Sequence, residues 1–171
     1  MKIFLLGLPG SGKTTLGRQL SAELKLPFID LDELIEKEAG KTILAIFREQ
    51  GESAFRALES GLLRRHCASE GDYIMATGGG APCFSDNMMV INQAGTSIFL
   101  DVPSKTIVQR IRKTDLQSRP LFADLHPENL KDAIEFMRSQ RMRFYRQARL
   151  TVGPETSTPE VITLIRMESQ R

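Results

Sequence analysis

The stretch Gly7-Leu8-Pro9-Gly10-Ser11-Gly12-Lys13-Thr14 constrains this chain more than any other. Its spacing, G-x-x-x-x-G-K-[ST], is that of a phosphate-binding loop. Such a loop requires a buried strand before it and a helix after it, and both are legible. Ile3-Phe4-Leu5-Leu6 is a short apolar run suited to a parallel strand covered on both faces. From Thr14 to Leu24, the residues Leu16, Leu20 and Leu24 fall on one helical face. Gly10 and Gly12 let backbone N–H groups curl around a phosphate without Cβ clashes. The helix that follows aims its positive end at the anion. Lys13 can reach the β- and γ-oxygens of a nucleotide, and the Thr14 hydroxyl suits Mg²⁺. Gly10, Ser11, Gly12, Lys13, Thr14 and Thr15 are therefore the expected nucleotide-binding residues.

A chain of 171 residues has room for one α/β domain with a full core. Its formal charge of +2 is too small to argue for general nucleic-acid binding. No apolar run of transmembrane length and no signal-peptide pattern is present. Cys67 and Cys83 are the only cysteines and lack metal-like spacing. A reduced, cytoplasmic protein with two ordinary thiols is expected.

Pro27-Phe28-Ile29-Asp30-Leu31-Asp32 predicts a second strand that ends in two carboxylates. If the strand runs that far, Asp30 and Asp32 share one side, at the ligand-binding edge of a parallel sheet. One carboxylate could then approach the Mg²⁺ water shell while the other faces an acceptor hydroxyl. Asp32 also precedes Glu33-Leu34-Ile35 and could simply cap a helix. Residues 33–65 predict short helices, punctuated by Gly40 and Gly51, one of them capped by Thr42. That is more than one crossover needs, and it predicts a small substrate-binding subdomain at about 32–62. Arg56 stands three residues before Glu59, so the carboxylate can hold the guanidinium in place or form only a surface ion pair.

Asp72 to Thr77 predicts a third strand running into Gly78-Gly79-Gly80, where backbone can approach a ligand closely. Ser85 is a possible cap for the next short helix, ended by Gly95, with Met88 and Met89 as core filler. Residues 97–102 predict the fourth strand, and a helix carrying Ile107, Val108 and Ile111 follows it. The polar, aperiodic segment from Arg112 is a lid candidate, spanning about 112–125, that can bring Arg119 over bound phosphates. A long helix over 127–146, a short strand at 150–152 and a closing helix from Thr158 complete the chain. Five arginines crowd the end of the long helix, where the macrodipole favours positive charge. His66 and His126 are read as surface residues.

These parts already describe an ATP-using phosphotransferase: a nucleotide loop, a helical insert for an acceptor and a lid arginine. The ordered combination resembles the shikimate kinase family across nearly the whole chain. The matching pieces are GLPGSGKTT, Asp30-Leu31-Asp32, Gly51-Glu52-Ser53-Ala54-Phe55-Arg56, Ala76-Thr77-Gly78-Gly79-Gly80, Arg119-Pro120-Leu121 and the Arg141-to-Tyr145 spacing. The resemblance implies a single three-layer P-loop kinase domain over 1–171, with a five-stranded parallel sheet ordered 2-3-1-4-5, a helical substrate insert and a mobile lid. It implies transfer of the ATP γ-phosphoryl group to the 3-hydroxyl of shikimate, on the way to chorismate and the aromatic amino acids. Asp32, Lys13 and Arg119 would be the catalytic residues. Thr14 would ligate Mg²⁺ and Asp30 would hold its outer shell. Arg56 and Arg141 would clamp the shikimate carboxylate, with Gly78, Gly79 and Gly80 giving backbone contacts and Phe47 and Phe55 an apolar wall. Arg112 would stack near adenine. The stretch 154–158 lacks a basic residue that family members often carry, so backbone contacts to adenine are expected there. The resemblance also implies a monomer acting on shikimate and ATP, with neither nucleic acid nor membrane as partner. The rival readings are a kinase for gluconate or a nucleoside monophosphate, and a nucleotide-dependent regulatory protein that has lost catalysis.

Overall fold

The computed structural model describes residues 1–113, 122 and 125–170. Among these, five strands form one parallel sheet: β1 (Lys2–Leu6), β2 (Phe28–Asp30), β3 (Tyr73–Ala76), β4 (Thr96–Leu100) and β5 (Leu150–Val152). Their order is β2-β3-β1-β4-β5, as the family resemblance implied. The central strand β1 is registered Leu5 to Ala76 on one side and Leu5 to Ile98 on the other. A strand in that position is covered on both faces, which is why Ile3 to Leu6 are all apolar and fully buried. Alternate residues sort into two cores. Ile3 and Leu5 pack with Leu20, Val161 and Ile165, while Phe4 and Leu6 pack with Leu63, Ile91 and Tyr145.

The helices connect and cover the strands: α1 (Lys13–Leu24), α2 (Leu31–Ala39), α3 (Ile43–Ala68), α4 (Asn87–Ala94), α5 (Ser104–Arg112), α6 (Leu130–Tyr145) and α7 (Thr158–Glu168). Because every strand runs the same way, the loops after β1, β2, β3 and β4 all open on one edge. The glycine loop, Asp30, the triple glycine and Asp101 therefore meet there.

Several local expectations are corrected. β2 stops at Asp30, so Asp32 lies in the first turn of α2 and not on a strand beside it. Asp30 is the cap: its carboxylate accepts the Asp32 N–H. The insert is broken into helical pieces at Gly40 and Gly51, as expected. Past Thr42, which caps as expected, α3 runs to Ala68 with a kink at Gly51 (φ 81°), a backbone setting that favours glycine. Ser85 does not cap α4; the N-cap position is Asp86. Met88 is buried but Met89 is exposed. His66 is half-buried with its ring edge-on to Tyr73, whereas His126 is exposed. The long helix begins with a 3₁₀ turn at Pro127–Asn129.

Gly95 ends α4 where β4 begins beside β1. A Cβ there would sit 2.3 Å from the Lys2 carbonyl oxygen, and neither backbone can give way. Gly95→Ala is expected to cost about 1–3 kcal/mol by overpacking, read as a lower urea midpoint with an unchanged slope.

Candidate active site

The loop between β1 and α1 holds its shape through Gly7, Gly10 and Gly12, all at positive φ. Lys13 is the first residue of α1, and its Nζ donates to the carbonyl oxygens of Gly7 (2.9 Å) and Leu8 (3.0 Å). The lysine thus lies folded across its own loop, with its charge over the mouth of the phosphate cradle. The cleft beside it encloses about 530 Å³ and is lined by Gly10, Ser11, Gly12, Lys13, Thr14, Thr15, Asp30 and Asp32, together with Gly153, Pro154 and Thr156. Thr14 Oγ1 donates to Asp30 Oδ2 at 2.9 Å. A hydroxyl and a carboxylate side by side are the hard oxygen donors that Mg²⁺ takes when phosphates and waters complete its shell, so these residues fit that ion.

A second pocket of about 120 Å³ adjoins the first and shares Asp32, Pro9 and Gly79 with it. Its walls are Phe47 and Phe55, whose rings lie 4.7 Å apart, with Ile43, Phe122, Arg56, Glu59 and the triple glycine. Asp32 stands where the two cavities meet. Its side chain is exposed to the cleft, yet the protein atoms crowding the carboxyl strip part of its hydration. That desolvation, then the neighbouring Asp30 charge, pushes it up to about 6 against the pull of Lys13 and Arg56. Gly78 has no room for a side chain, because a Cβ would meet Glu59 Oε1 at 2.7 Å and Asp32 Oδ1 at 2.9 Å.

Arg56 is buried and its Nη1 donates to Glu59 Oε2 at 2.7 Å, while Glu52 accepts from Nε and Nη2. Glu59 is 1% exposed, so the pair is an interior one and not a surface bridge. Burial raises the Glu59 carboxyl and the Arg56 charge opposes it. Arg141 projects from α6 to the same place: its Nη1 is 3.1 Å from where a Cβ on Gly79 would lie. Among the described residues, Ser11 Oγ, Glu59 Oε1 and Arg141 Nη1 are buried without a hydrogen-bond partner. Ser11 lines the larger cavity and Glu59 the smaller, while Arg141 packs against Gly79, which belongs to both. Buried polar groups left unpaired cost about 1–3 kcal/mol each, and a polar ligand would satisfy them.

Two supports went unread in the sequence. Arg110 Nη1 donates to the Gly10 (3.3 Å) and Ser11 (3.0 Å) carbonyls and lines the nucleotide cleft, whereas Arg112 is exposed and does not. Residues two apart on a helix face different ways, so only one could reach the loop. Tyr145, buried and stacked on Phe99, donates its hydroxyl to the Gly79 carbonyl at 2.5 Å. It lies one helical turn after Arg141, so one face of α6 carries both the guanidinium and the strut for the glycines. The i, i+4 spacing was the available signal. Tyr145→Phe keeps the stacking but strips Gly79 of its donor. A loss of about 1–3 kcal/mol is expected by urea titration. Arg119 and the central part of the expected lid lie outside the described residues.

A glycine-loop cleft thus joins a small pocket, with the Asp32 carboxylate at the junction. The shikimate kinase family model matches residues 9–168. A shikimate kinase of Bacteroides fragilis is 46% identical over 148 residues, covering 86% of this chain and 82% of its own. The crystal structure of shikimate kinase from Bacteroides thetaiotaomicron superposes with a TM-score of 0.86 at 36% identity, covering 99% of this chain and 97% of that one. Shikimate kinase from Acinetobacter baumannii in complex with shikimate gives a TM-score of 0.84 at 30% identity, covering 99% and 92%. The chain belongs to the shikimate kinase family.

Proposed function

We propose that this protein transfers the γ-phosphoryl group of ATP to the 3-hydroxyl of shikimate, giving shikimate 3-phosphate and ADP. The observation that carries the reading is a small pocket walled by Arg56 that shares Asp32 and Gly79 with the phosphate cleft, with Arg141 packed against Gly79. Two guanidinium groups suit the one carboxylate of shikimate, because a planar fork matches a planar anion. Glu59 Oε1, buried and unpaired, supplies an acceptor for a ring hydroxyl.

The chemistry asks for positioning and charge. The 3-hydroxyl oxygen bonds to the γ-phosphorus as the bond from that phosphorus to the β,γ-bridging oxygen breaks. The hydroxyl proton passes to Asp32, and ADP leaves with the electron pair. Lys13 exchanges its contacts with the loop carbonyls for phosphate oxygens, and Arg110 keeps the loop braced while it does so. Thr14 and Asp30 would hold Mg²⁺, which when bound neutralises charge on the β- and γ-phosphates. Arg119 would reach over the phosphates from a lid within about 112–125, and the insert at about 32–62 would hold the acceptor, all in one domain. A monomeric cytoplasmic enzyme is part of the same proposal. Among the described residues no helix is long and apolar enough to cross a membrane.

The test is a coupled ADP-release assay with shikimate, gluconate and AMP as acceptors. Release that depends on shikimate alone is expected. Turnover with gluconate or AMP but not shikimate would move the protein to another small-molecule kinase class, and ATP binding without acceptor-dependent turnover would make it a regulatory protein.

A further inference from the structure

We infer that Phe84 is a positioning residue for the acceptor carboxylate: its ring caps the guanidinium of Arg56 and holds that fork for the substrate. The Arg56 Cζ lies 4.3 Å from the Phe84 ring centroid, closer than the 5.0 Å to Phe55. Both distances fall within cation–π range, where the ring quadrupole attracts the guanidinium.

Packing does not account for this phenylalanine. Phe84 is 38% exposed and belongs to neither hydrophobic core, although Ala81 and Pro82 just before it are buried. The backbone after it is strained to keep it there. Ser85 (φ 51°) and Asp86 (φ 56°) are consecutive non-glycine residues in the left-handed region. The turn is held from three sides. The Asn87 N–H donates to the Phe84 carbonyl at 2.9 Å, and Arg64 donates to the Ser85 carbonyl. The buried Asn87 side chain, itself bonded by Ser60, donates to the Ala81 carbonyl.

The ring does what a further carboxylate could not. A guanidinium has five N–H donors. Glu52 and Glu59 take up three through Nε, Nη2 and Nη1. One N–H on each η nitrogen is left, the number a bidentate carboxylate needs. A third acidic neighbour would consume these and cancel the charge. An aromatic face fixes the plane of the group, sheds water from it and uses no donor. Gly80 completes the enclosure: a Cβ there would lie 2.6 Å from both η nitrogens. Arg56 is thereby presented in one orientation before substrate arrives, which lowers the cost of ordering it on binding.

This inference rests on the reading of shikimate as acceptor, so wild-type turnover with shikimate is measured first; without it both readings fall. Steady-state kinetics then compare wild type, Phe84→Leu and Phe84→Tyr. Phe84→Leu is expected to raise the KM for shikimate about 3- to 10-fold, the size of a partly desolvated cation–π contact. The KM for ATP and kcat should stay within about twofold, as an exposed aliphatic replacement disturbs neither core nor glycine loop. Phe84→Tyr, which keeps the ring, should restore the wild-type KM. An unchanged shikimate KM in Phe84→Leu, an equal rise in the KM for ATP, or a failure of tyrosine to rescue would each overturn the inference while leaving the kinase assignment intact.

Discussion

Asp32→Asn is expected to lower kcat by at least about 100-fold, the usual contribution of a positioned general base, while ATP affinity stays near that of the wild type. Asparagine keeps the shape and a hydrogen-bond acceptor but cannot take the hydroxyl proton. Near-normal turnover would reduce Asp32 to a residue of the first helical turn. The pH dependence gives a second check. Desolvation by the surrounding protein and the neighbouring Asp30 charge raise the carboxyl from 3.8 to about 6. The active, ionised form is therefore lost as pH falls through about 6, and wild-type kcat/KM should drop roughly tenfold per unit below that. Stability runs the other way. A carboxyl that holds its proton more tightly in the folded state contributes stability below its unfolded value of 3.8, and that contribution is lost as pH rises through about 6. Asparagine never ionises. The variant should therefore gain in melting temperature over wild type as the buffer is taken from pH 4 to pH 7.

Arg56→Ala is expected to damage both fold and activity, and a second substitution separates the two. Removing the guanidinium leaves Glu59, 1% exposed, without its 2.7 Å partner. Breaking a buried pair from one side costs about 3–5 kcal/mol, which denaturant titration will register. Arg56→Ala with Glu59→Gln replaces the stranded carboxyl by a neutral amide and should recover most of that stability. It should not recover turnover. Two charge-assisted hydrogen bonds to the substrate carboxylate are gone, so kcat/KM for shikimate should stay down on the order of 100- to 1,000-fold. Arg56→Lys keeps the charge and loses the fork. A fall of about 10- to 100-fold is expected there, because one charge-assisted bond is lost. Full activity in the double variant would take Arg56 out of the acceptor pocket.

Both experiments turn on contacts between segments far apart in sequence, and that is where reading the chain alone ran short. The strand Ile3 to Leu6, the glycine loop and α1 were legible because they are local: a buried run, a motif and a four-residue period follow one another without a gap. β3, β4, β5 and the buried face of α5 were legible for the same reason. The boundary at Asp30 was not. Either aspartate satisfies the preference of a cap, and the three-residue pairing of β2 with β3 decides where the strand ends. Arg56 and Glu59 were readable as a pair, but their burial was not, since it depends on α3 lying against the triple glycine of a different connection.

Local chemistry in the sequence determined that this chain sets a glycine-rich phosphate loop between a buried strand and a helix. Periodicity, glycine placement and motif spacing act over a few residues and need no partner to be read. Only the tertiary structure decided that Arg110 braces the cradle, that Tyr145 props Gly79, and that Phe84 lies over Arg56. Each of those contacts joins segments whose separation in the chain says nothing about their distance in space, and the sheet order sets that distance.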